Sequence, residues 1–441
     1  LEIFEISKKQ GIRSVDKICH RMELGKDTYT LGKIRPEMEE ELCRVLADFV
    51  RIMEGYRVDD YRATASSAIS EASNSLYVLG KIHQLTGFSV TVLSNSEQRF
   101  LSYKALAAME DNFNKIIEKG TAILDLDGGS FQISLFDKDA LVTTQNIRMG
   151  SLRIRERLAG IQSETEHYEE MVEELIWNEV SSFKKMYLKD RKIENIMLIG
   201  DVFTDSVYQN IEEKTTKIIS RENFNTWYEK IIRQSPMELA VKLGIPLENA
   251  SLMYPSAVIY KCLIDMMGAE HIWIPGVHMT RGIAYEYAEQ MKLLKGGHNF
   301  ENDILMAAKN IGKRYAVNRP HVQNLEMTAL AMFDATKKMH GMKERERLLL
   351  QMAVMLHDVG KYISFNNVAD SSYNIIMSNE IIGLSHIERE MVALIARYNT
   401  VTLPSYDELV MESSLSAEQY LTVSELTAIV RLANALDRSH L

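Results

Sequence analysis

A turn of sequence DGGS, residues 127–130, lies between two apolar runs in the segment TAILDLDGGSFQISLF, residues 121–136. Such a turn can point several backbone N–H groups into one concavity, which favours an anion such as phosphate. Gly128 and Gly129 permit backbone angles and a close approach that a side chain would block. Asp125 could hold Mg²⁺, which binds carboxylate and phosphate oxygens. The alternative is that the four residues only close a tight β-hairpin.

A second group of polar residues, His357 and Asp358, follows an apolar helical run in VMLHDVGKYI. This dipeptide resembles the signature of HD-type phosphohydrolases, which combine it with an upstream histidine and a downstream aspartate. His321 and Asp437 match those places, so the resemblance implies that these four residues bind a divalent metal. A bound metal could lower the pKa of water and make hydroxide near neutral pH. The alternative is that His357 and Asp358 only cap a helix.

The composition of the 441-residue chain, with 46% apolar and 25% charged residues, is typical of a soluble globular protein. No apolar run approaches the roughly 18 to 20 residues of a membrane span, and no signal peptide is visible, so we expect a cytoplasmic protein without membrane contact. The formal net charge of −10 argues against nucleic-acid binding. Cys19, Cys43 and Cys262 lack metal-type spacing and are expected to be buried reduced thiols.

Strand-like and helix-like patterns alternate over residues 1–293, which predicts an α/β architecture. LEIFEIS is typical of a strand, RPEMEEELCRVLADFVRIMEG of a helix with Pro36 in its first turn, and residues 121–136 of two strands joined by their turn. From about Gly296 onward, apolar residues recur at helical spacing, so this part is predicted to be all-helical. The turn KGGHNFEN, residues 295–302, is the predicted linker.

Five segments of the chain occur in this order: ATASSAISEASN, VLSNSEQRFLSYKA, ILDLDGGSFQISL, IRMGSLRIRERL and VHMTRGIAYEYA. Together they resemble the sequential motifs of the Ppx/GppA family, the exopolyphosphatases and guanosine pentaphosphate phosphohydrolases. The resemblance implies an α/β two-domain actin-like (ribonuclease H-like) fold that encloses phosphates in a cleft, followed by an all-α HD-type domain. The expected domains are residues 1–118, 119–295 and 296–441. The resemblance also implies a homodimer.

The resemblance assigns roles to individual residues. Glu97, in SNSEQR, matches the glutamate that activates the attacking water, although it could instead be a solvated residue in a first helical turn. Asp125 matches the family aspartate and is expected to bind Mg²⁺ in the cleft. Arg153 could supply positive charge there, or could be a surface arginine on a helix. The expected phosphate-binding residues are Gly128, Gly129, Ser130, Gly150, Ser151 and Arg153.

Three residues depart from the family pattern. Asp127 replaces a glycine and adds a negative charge where phosphate should approach. Gln132 replaces an acid, and its amide can orient a water or a metal ligand but cannot act as a base, so it joins Glu97 and Asp125 in the expected catalytic set in that limited role. Ser70 stands where the family usually has an arginine. We therefore expect weakened chemistry.

The ends of the chain also depart from the family. Family members open with a strand and an Asp-x-Gly-Ser-Asn-Ser type loop just before the segment that resembles LEIFEIS, whereas this chain begins at Leu1. We therefore expect the first strand and first phosphate loop to be missing here, and the helical domain to be cut at its end. Asp201, in LIGDVFTDS, is expected to place a further acid near the phosphates.

Three functional hypotheses follow from these residues. In the leading one, the protein is a phosphohydrolase that releases terminal phosphate from inorganic polyphosphate or guanosine pentaphosphate. In the second, the HD-type domain is a metal-dependent hydrolase of a nucleotide or alarmone. In the third, the cleft binds polyphosphate or a guanosine nucleotide without turnover, as a sensor, and the substitutions at Ser70 and Gln132 favour this hypothesis.

Overall fold

In a computed structural model of the chain, the described residues are 1–109, 113–138, 140–158, 168–210, 217–294 and 298–437. The chain forms two compact units. The first comprises Leu1–Ala140 and Gln145–His298, and the second comprises Leu141–Thr144 and Asn299–Leu441. The predicted domains 1–118 and 119–295 thus fall mainly in one unit, and their division stays a prediction. None of the described helices combines the length and apolar content that a membrane span requires.

The elements alternate between strands and helices before residue 298 and are helical after it, which confirms the predicted mixed α/β part followed by a helical part. The strands are β1 (Glu2–Ser7), β2 (Gly11–Lys17), β3 (Ala63–Ala65), β4 (Val90–Val92), β5 (Thr121–Leu126), β6 (Phe131–Asp137), β7 (Ala140–Ile147), β8 (Asn195–Ile199), β9 (Ile218–Ser220) and β10 (His271–Trp273). The helices of the first unit are α1 (Leu24–Leu31), α2 (Pro36–Tyr56), α3 (Ser67–Ser70), α4 (Ser75–Thr86), α5 (Asn95–Met109), α6 (Phe113–Ile117), α7 (Ser151–Leu158), α8 (Tyr168–Phe183), α9 (Val202–Asn210), α10 (Arg221–Ile232), α11 (Pro236–Leu243), α12 (Leu247–Met267) and α13 (Met279–Gln290). The helices of the second unit are α14 (Phe300–Arg314), α15 (Arg319–Ala335), α16 (Lys337–His340), α17 (Glu344–Leu356), α18 (Val368–Ser378), α19 (His386–Tyr398), α20 (Tyr406–Leu409) and α21 (Ala417–Leu436).

The main sheet of the first unit is built around β5, which pairs antiparallel with β6 and parallel with β8. Beyond β8, β10 runs parallel and β9 antiparallel. Every residue of β5 and β8 is buried, as is typical of strands covered on both faces. Because β5 and β8 are parallel, their carboxyl ends meet at one edge of the sheet, where ligand sites are common in α/β folds. The DGGS turn lies at this edge.

The first residues of the chain form the predicted strand and helix. Helix α2 begins at Pro36, whose fixed φ and missing N–H suit a first helical position. The helix contributes Leu42 to a small core that also contains Val78 and Ile82 of α4. The sequence did not predict β2, the antiparallel partner of β1, because its GIRSVDK residues are largely polar and exposed.

The three cysteines are free thiols, as predicted. Cys43 is buried in the small core, and Cys262 is partly buried. Cys19 is exposed, so the prediction of burial was wrong for this residue. It follows β2 in a connecting segment in which residues 19–21 are all exposed.

The helices of the second unit have well-defined ends. The Ser385 side chain at α19 and the Ser416 side chain at α21 each begin a helix with a capping box. Helix α15 begins after Asn318, whose side chain accepts a hydrogen bond from the N–H of His321. The Asn318 cap therefore fixes His321 in the first turn of α15.

Candidate functional sites

The glycine loop (residues 127–130) joins β5 to β6, so the predicted hairpin is confirmed. The loop also binds an anionic oxygen. Oδ1 of Asp127 accepts hydrogen bonds from the backbone N–H groups of Gly129 and Ser130, at 2.7 and 2.8 Å. The N–H groups that were predicted to hold phosphate therefore converge on one oxygen, and that oxygen belongs to the chain itself.

The guanidinium of Arg99, from α5, lies against the glycine loop. It donates to Oδ1 of Asp125 at 2.5 Å and to Oδ2 of Asp127 at 2.7 Å. It also donates to Oγ of Ser130 at 3.2 Å. The Arg99 side chain is only 5% exposed. Burial raises the pKa of Asp125, and the Arg99 charge opposes that rise. The two acids next to the loop thus share one fixed cation.

This arrangement does not suit Mg²⁺. The ion needs near-octahedral oxygen ligands and takes them from one or two carboxylates, phosphates and water. Both carboxylates near the glycine loop, Asp125 and Asp127, already bind Arg99. Of the carboxylate oxygens of Asp125 and Asp127, only Oδ2 of Asp125 is left without a hydrogen-bond partner among the described residues. The adjacent guanidinium would repel a second cation. As placed, the residues therefore do not fit a magnesium ion.

The amino end of α7 packs on the glycine loop. The N–H of Ser151 donates to the carbonyl of Asp127 at 3.2 Å, and the N–H of Arg153 donates to the carbonyl of Gly128 at 2.9 Å. A Cβ at Gly150 would overlap the backbone of the loop, so this contact requires glycine. These predicted phosphate-binding residues therefore bond to the loop and hold its shape.

Tyr29, from α1, covers the loop at Gly129, where a Cβ would overlap the tyrosine hydroxyl. The guanidinium of Arg153 lies 4.4 Å from the centre of the Tyr29 ring, and it donates to the carbonyl of Gly129 and to the carboxylate of Glu71. Glu71 directly follows Ser70, so the Arg153 cation lies next to the position where an arginine was expected, but it is paired with an acid. Arg153 is thus a clamp on the loop rather than an isolated surface arginine.

The other expected catalytic residues have partners of their own. Oε2 of Glu97 accepts from the N–H and the hydroxyl of Ser94 at 2.9 and 2.7 Å, which caps the start of α5. This is the first-turn role that the sequence offered as the alternative. Side chains two residues apart on a helix face different sides, so Glu97 and Arg99 project differently. The amide of Gln132 donates to Oγ of Ser134 at 3.4 Å.

Asp201 follows β8 at the same edge of the sheet. Its Oδ1 accepts from the N–H of Thr204 at 3.1 Å and lies 3.3 Å from the Tyr260 hydroxyl. Burial raises the pKa of Asp201 to about 6, because a carboxylate loses hydration there. The acid that was expected near the phosphates is therefore a partly buried one.

Arg99 and Tyr29 were not identified from the sequence as site residues. Arg99 lies among residues of α5 that the structure buries, such as Leu101, which the sequence alone did not show. A buried arginine requires carboxylate partners. The Asp-Leu-Asp sequence at the end of β5 supplies two acids that are themselves buried or partly buried. Tyr29 offers no comparable signal.

The predicted metal ligands of the second unit come together at the ends of three helices. His321 lies in the first turn of α15, His357 and Asp358 follow α17, and Asp437 follows α21. We name these four residues the helix-end cluster. The ligand atoms of His321, His357 and Asp358 all lie within 4.8 Å of one another, and no other such group of three occurs in the described ranges. Nδ1 of His321 lies 2.5 Å from Oδ2 of Asp437, which therefore stands behind His321.

The histidine nitrogens of the helix-end cluster suit a cation. Nδ1 of His357 lies 2.7 Å from the carbonyl of Val354, so this nitrogen carries the proton. Nδ1 of His321 faces the carboxylate of Asp437 in the same way. The two Nε2 atoms are 3.3 Å apart, and each then presents a lone pair to the other. Burial lowers the pKa of His357, which favours the neutral ring. A divalent metal fits between the two nitrogens, with Asp358 as a third ligand.

Asp358 has one competing partner. Its Oδ2 lies 2.5 Å from Nζ of Lys361, while its Oδ1 lies 3.4 Å from Nε2 of His357. The Lys361 side chain is 50% exposed, so it can move into solvent and leave the carboxylate to a metal. The bond from His357 to a backbone carbonyl is also what the helix-capping alternative predicts, so that alternative stays open.

Comparisons with known proteins agree on one family. The family model described as the Ppx/GppA phosphatase family matches residues 3–291, and the model described as Ppx/GppA phosphatase, domain III, matches residues 305–441. A guanosine-5'-triphosphate,3'-diphosphate pyrophosphatase of Vibrio atlanticus is 18% identical over 426 residues, which is 95% of this chain and 82% of that protein.

Solved structures show the same fold at low identity. An exopolyphosphatase from Cytophaga hutchinsonii matches with a TM-score of 0.58 and 17% identity, over 67% of this chain and 95% of the other. The Ppx/GppA family member of Aquifex aeolicus matches with a TM-score of 0.54 and 15% identity, over 68% of this chain and 94% of the other.

Proposed function

Because the chain belongs to the Ppx/GppA phosphatase family, we propose that it is a phosphohydrolase that releases terminal phosphate from inorganic polyphosphate or guanosine pentaphosphate. The two substrate classes are those of its relatives, a guanosine pentaphosphate pyrophosphatase and an exopolyphosphatase. The proposal includes an actin-like fold for residues 1–295, an HD-type fold for the helical domain, a homodimer and a cytoplasmic location.

One observation carries this proposal: the N–H groups of Gly129 and Ser130 converge on a single anionic oxygen, Oδ1 of Asp127. A loop that holds a carboxylate oxygen in this way can hold a phosphate oxygen by the same hydrogen bonds. The loop lies at the carboxyl edge of the sheet, and α7 and Arg153 fix its shape. The positions of the donors support phosphate binding more directly than any one side chain does.

In the proposed reaction, Glu97 exchanges its bond with Ser94 for a water molecule, orients that water towards the terminal phosphorus and accepts its proton. The Gln132 amide cannot accept a proton as a base, so it only positions neighbouring groups. Arg99 must release part of its hold on Asp127 before a phosphate can reach the loop. Each exchange opposes an existing bond, so we expect slow turnover.

The test is phosphate release from polyphosphate and from guanosine pentaphosphate, with and without Mg²⁺. We expect Glu97→Gln to reduce the rate about 10²–10³-fold, because the variant can still cap α5 but cannot accept a proton. Glu37→Gln is the matched control, since Glu37 is an exposed glutamate in the first turn of α2. Full activity of Glu97→Gln would overturn the assignment of Glu97. Absence of phosphate release under all conditions would overturn the hydrolase proposal.

A second candidate function is metal-dependent hydrolysis in the helical unit. It is favoured by the two facing Nε2 atoms of His321 and His357 and the nearby carboxylate of Asp358. These residues would hold the metal, and Asp437 would orient His321 through Nδ1. The metal would supply a water of lowered pKa. The test is the metal content of the purified protein beside that of His357→Ala; equal, negligible content in both excludes this function.

A third candidate is binding of polyphosphate or a guanosine nucleotide without turnover. It is favoured by the pairing of Arg99 with Asp125 and Asp127, which engages both acids of the loop in an ion pair. Measurable phosphate release that is lost in Glu97→Gln excludes it. Binding without release in the wild-type protein would support it over the hydrolase.

A further inference from the structure

The side chain of Asp127 occupies the position of an anionic ligand in the glycine loop. One of its oxygens accepts both converging N–H groups of the loop, and the other accepts from Arg99. A phosphate bound at this loop would use the same N–H groups and would attract the same guanidinium. A backbone N–H cannot serve both acceptors fully, so the carboxylate and an incoming phosphate compete for one place.

Arg99 occupies the position of a cation beside the same loop. Its guanidinium bridges Asp125 and Asp127 and also reaches the hydroxyl of Ser130. A guanidinium presents several donors in a rigid plane, which suits two anionic groups at once. If Asp127 leaves the loop, one side of Arg99 stays bound to Asp125 while the other side becomes available to a phosphate oxygen.

We propose that Asp127 is an internal competitor of phosphate at the glycine loop, and that Arg99 replaces a divalent metal as the cation for a polyphosphate ligand. The ligand binds by displacing Asp127, and Arg99 then bridges Asp125 and the bound phosphate. This inference rests on the proposed phosphate-binding function of the loop, but it requires no turnover. It predicts metal-independent binding that is weakened by the chain's own carboxylate.

The expected size of the effect follows from population. Where only a fraction of the protein has an open loop, the apparent affinity falls by that fraction. A loop that is closed by Asp127 about nine-tenths of the time would bind about tenfold more weakly than one without the carboxylate. Removal of the competitor should therefore tighten binding, which is unusual for the loss of a residue that makes three hydrogen bonds at the site.

The test is calorimetric titration of the full chain with tripolyphosphate in EDTA. We expect measurable binding by the wild-type protein, about tenfold tighter binding by Asp127→Ala, and at least tenfold weaker binding by Arg99→Gln. Asp127→Asn is a second variant that can keep the acceptor of the loop without its charge, and it should bind more tightly than the wild type by a smaller factor. Asp137→Ala is the matched control, because it removes the same charge at the far end of β6.

The outcomes separate this inference from the proposed function. Two results would overturn the inference: binding that needs Mg²⁺ and is absent in EDTA, or binding by Asp127→Ala and Asp127→Asn that is no tighter than by the wild type. Phosphate release from polyphosphate could still be observed in either case. Tighter binding by both variants in EDTA supports it even where no phosphate is released. If Asp127→Ala does not fold, as judged by its thermal transition, Asp127→Asn decides. Absence of binding by every variant would overturn the inference together with phosphate binding at the loop.

Discussion

The glycine loop and the helix-end cluster are two polar sites that differ in what the chain itself places against their donors and acceptors. At the glycine loop, Arg99 faces two carboxylates, and the converging N–H groups already have an acceptor. At the helix-end cluster, the Nε2 atoms of His321 and His357 face each other at 3.3 Å. The converging N–H groups of the first site are thus occupied by the chain itself, whereas we expect the second site to gain stability when a cation enters it.

This difference indicates opposite behaviour towards ligands. A ligand of the glycine loop must first displace an internal partner, so its binding is reduced by competition. A cation at the helix-end cluster removes an unfavourable contact between lone pairs, so its binding should also stabilise the fold. The predictions below test each side of this comparison.

The largest expected effect is at the glycine loop. Arg99→Ala would leave Asp125 and Asp127 without their cation, and loss of one partner of a buried pair typically costs about 3–5 kcal/mol. We expect a loss of this size in the free energy of unfolding of the first unit, measured by urea denaturation. Arg13→Ala is the control, because the pair of Arg13 with Glu5 is exposed and should contribute less than about 1 kcal/mol. Similar losses of unfolding free energy in the two variants would contradict a buried ion pair of Arg99 with Asp125 and Asp127.

We expect a divalent metal to bind at the helix-end cluster and to stabilise the helical unit. A divalent ion such as Mn²⁺, at about 100 times its dissociation constant, should raise the free energy of unfolding of the helical unit by about 2.7 kcal/mol. Thermal unfolding with increasing metal would measure this shift. We expect no shift in His321→Ala and a normal one in His83→Ala, whose ring also bonds a backbone carbonyl. An equal response of both variants would exclude the helix-end cluster as the metal site.

Asp201 should make the stability of the first unit depend on pH. Its pKa rises from 3.8 to about 6 in the folded protein, so the folded state keeps a proton that the unfolded state loses between about pH 4 and pH 6. Stability therefore falls as the pH rises through this window, by about 3 kcal/mol. Asp201→Asn should remove this loss, so its advantage over the wild type should be full above about pH 7 and absent below about pH 4.

Urea denaturation at several pH values would measure the difference. Asp205→Asn is the control, because Asp205 lies four residues later in α9 and its side chain is 45% exposed. An advantage of Asp201→Asn that does not change with pH would show that the aspartate is not protonated in the folded state.

Local patterns were sufficient for much of the fold. The strands on each side of the DGGS turn, the helix that begins at Pro36 and the helical part after residue 298 each follow from periodicity and turn residues within one segment. The helix-end cluster was also predictable, because a resemblance to a known signature named each of its four residues before their distances were known.

Long-range pairing was not predictable in the same way. Arg99 and Asp127 are 28 residues apart, and nothing in either segment shows that α5 lies against the end of β5. The sequence indicated that Asp127 adds charge near phosphate, but not that its carboxylate turns back into the loop. Glu97 illustrates a second difficulty, because a helix-capping glutamate and a general base both occur in a first helical turn. Only atomic contacts separate the two roles.

The smallest expected effect concerns the residue behind the helix-end cluster. Asp437→Asn keeps a side chain of the same size next to Nδ1 of His321 but removes the charge that makes this ring a better ligand. Loss of such a partner typically weakens metal binding about 10–100-fold, and we expect about tenfold here because both imidazole ligands and Asp358 remain. Competition with a chelator of known affinity would measure it. Asp334→Asn, which alters an exposed pair with Arg347, is the control. Loss of all metal binding would make Asp437 a direct ligand, whereas an unchanged affinity would show that His321 needs no orienting partner.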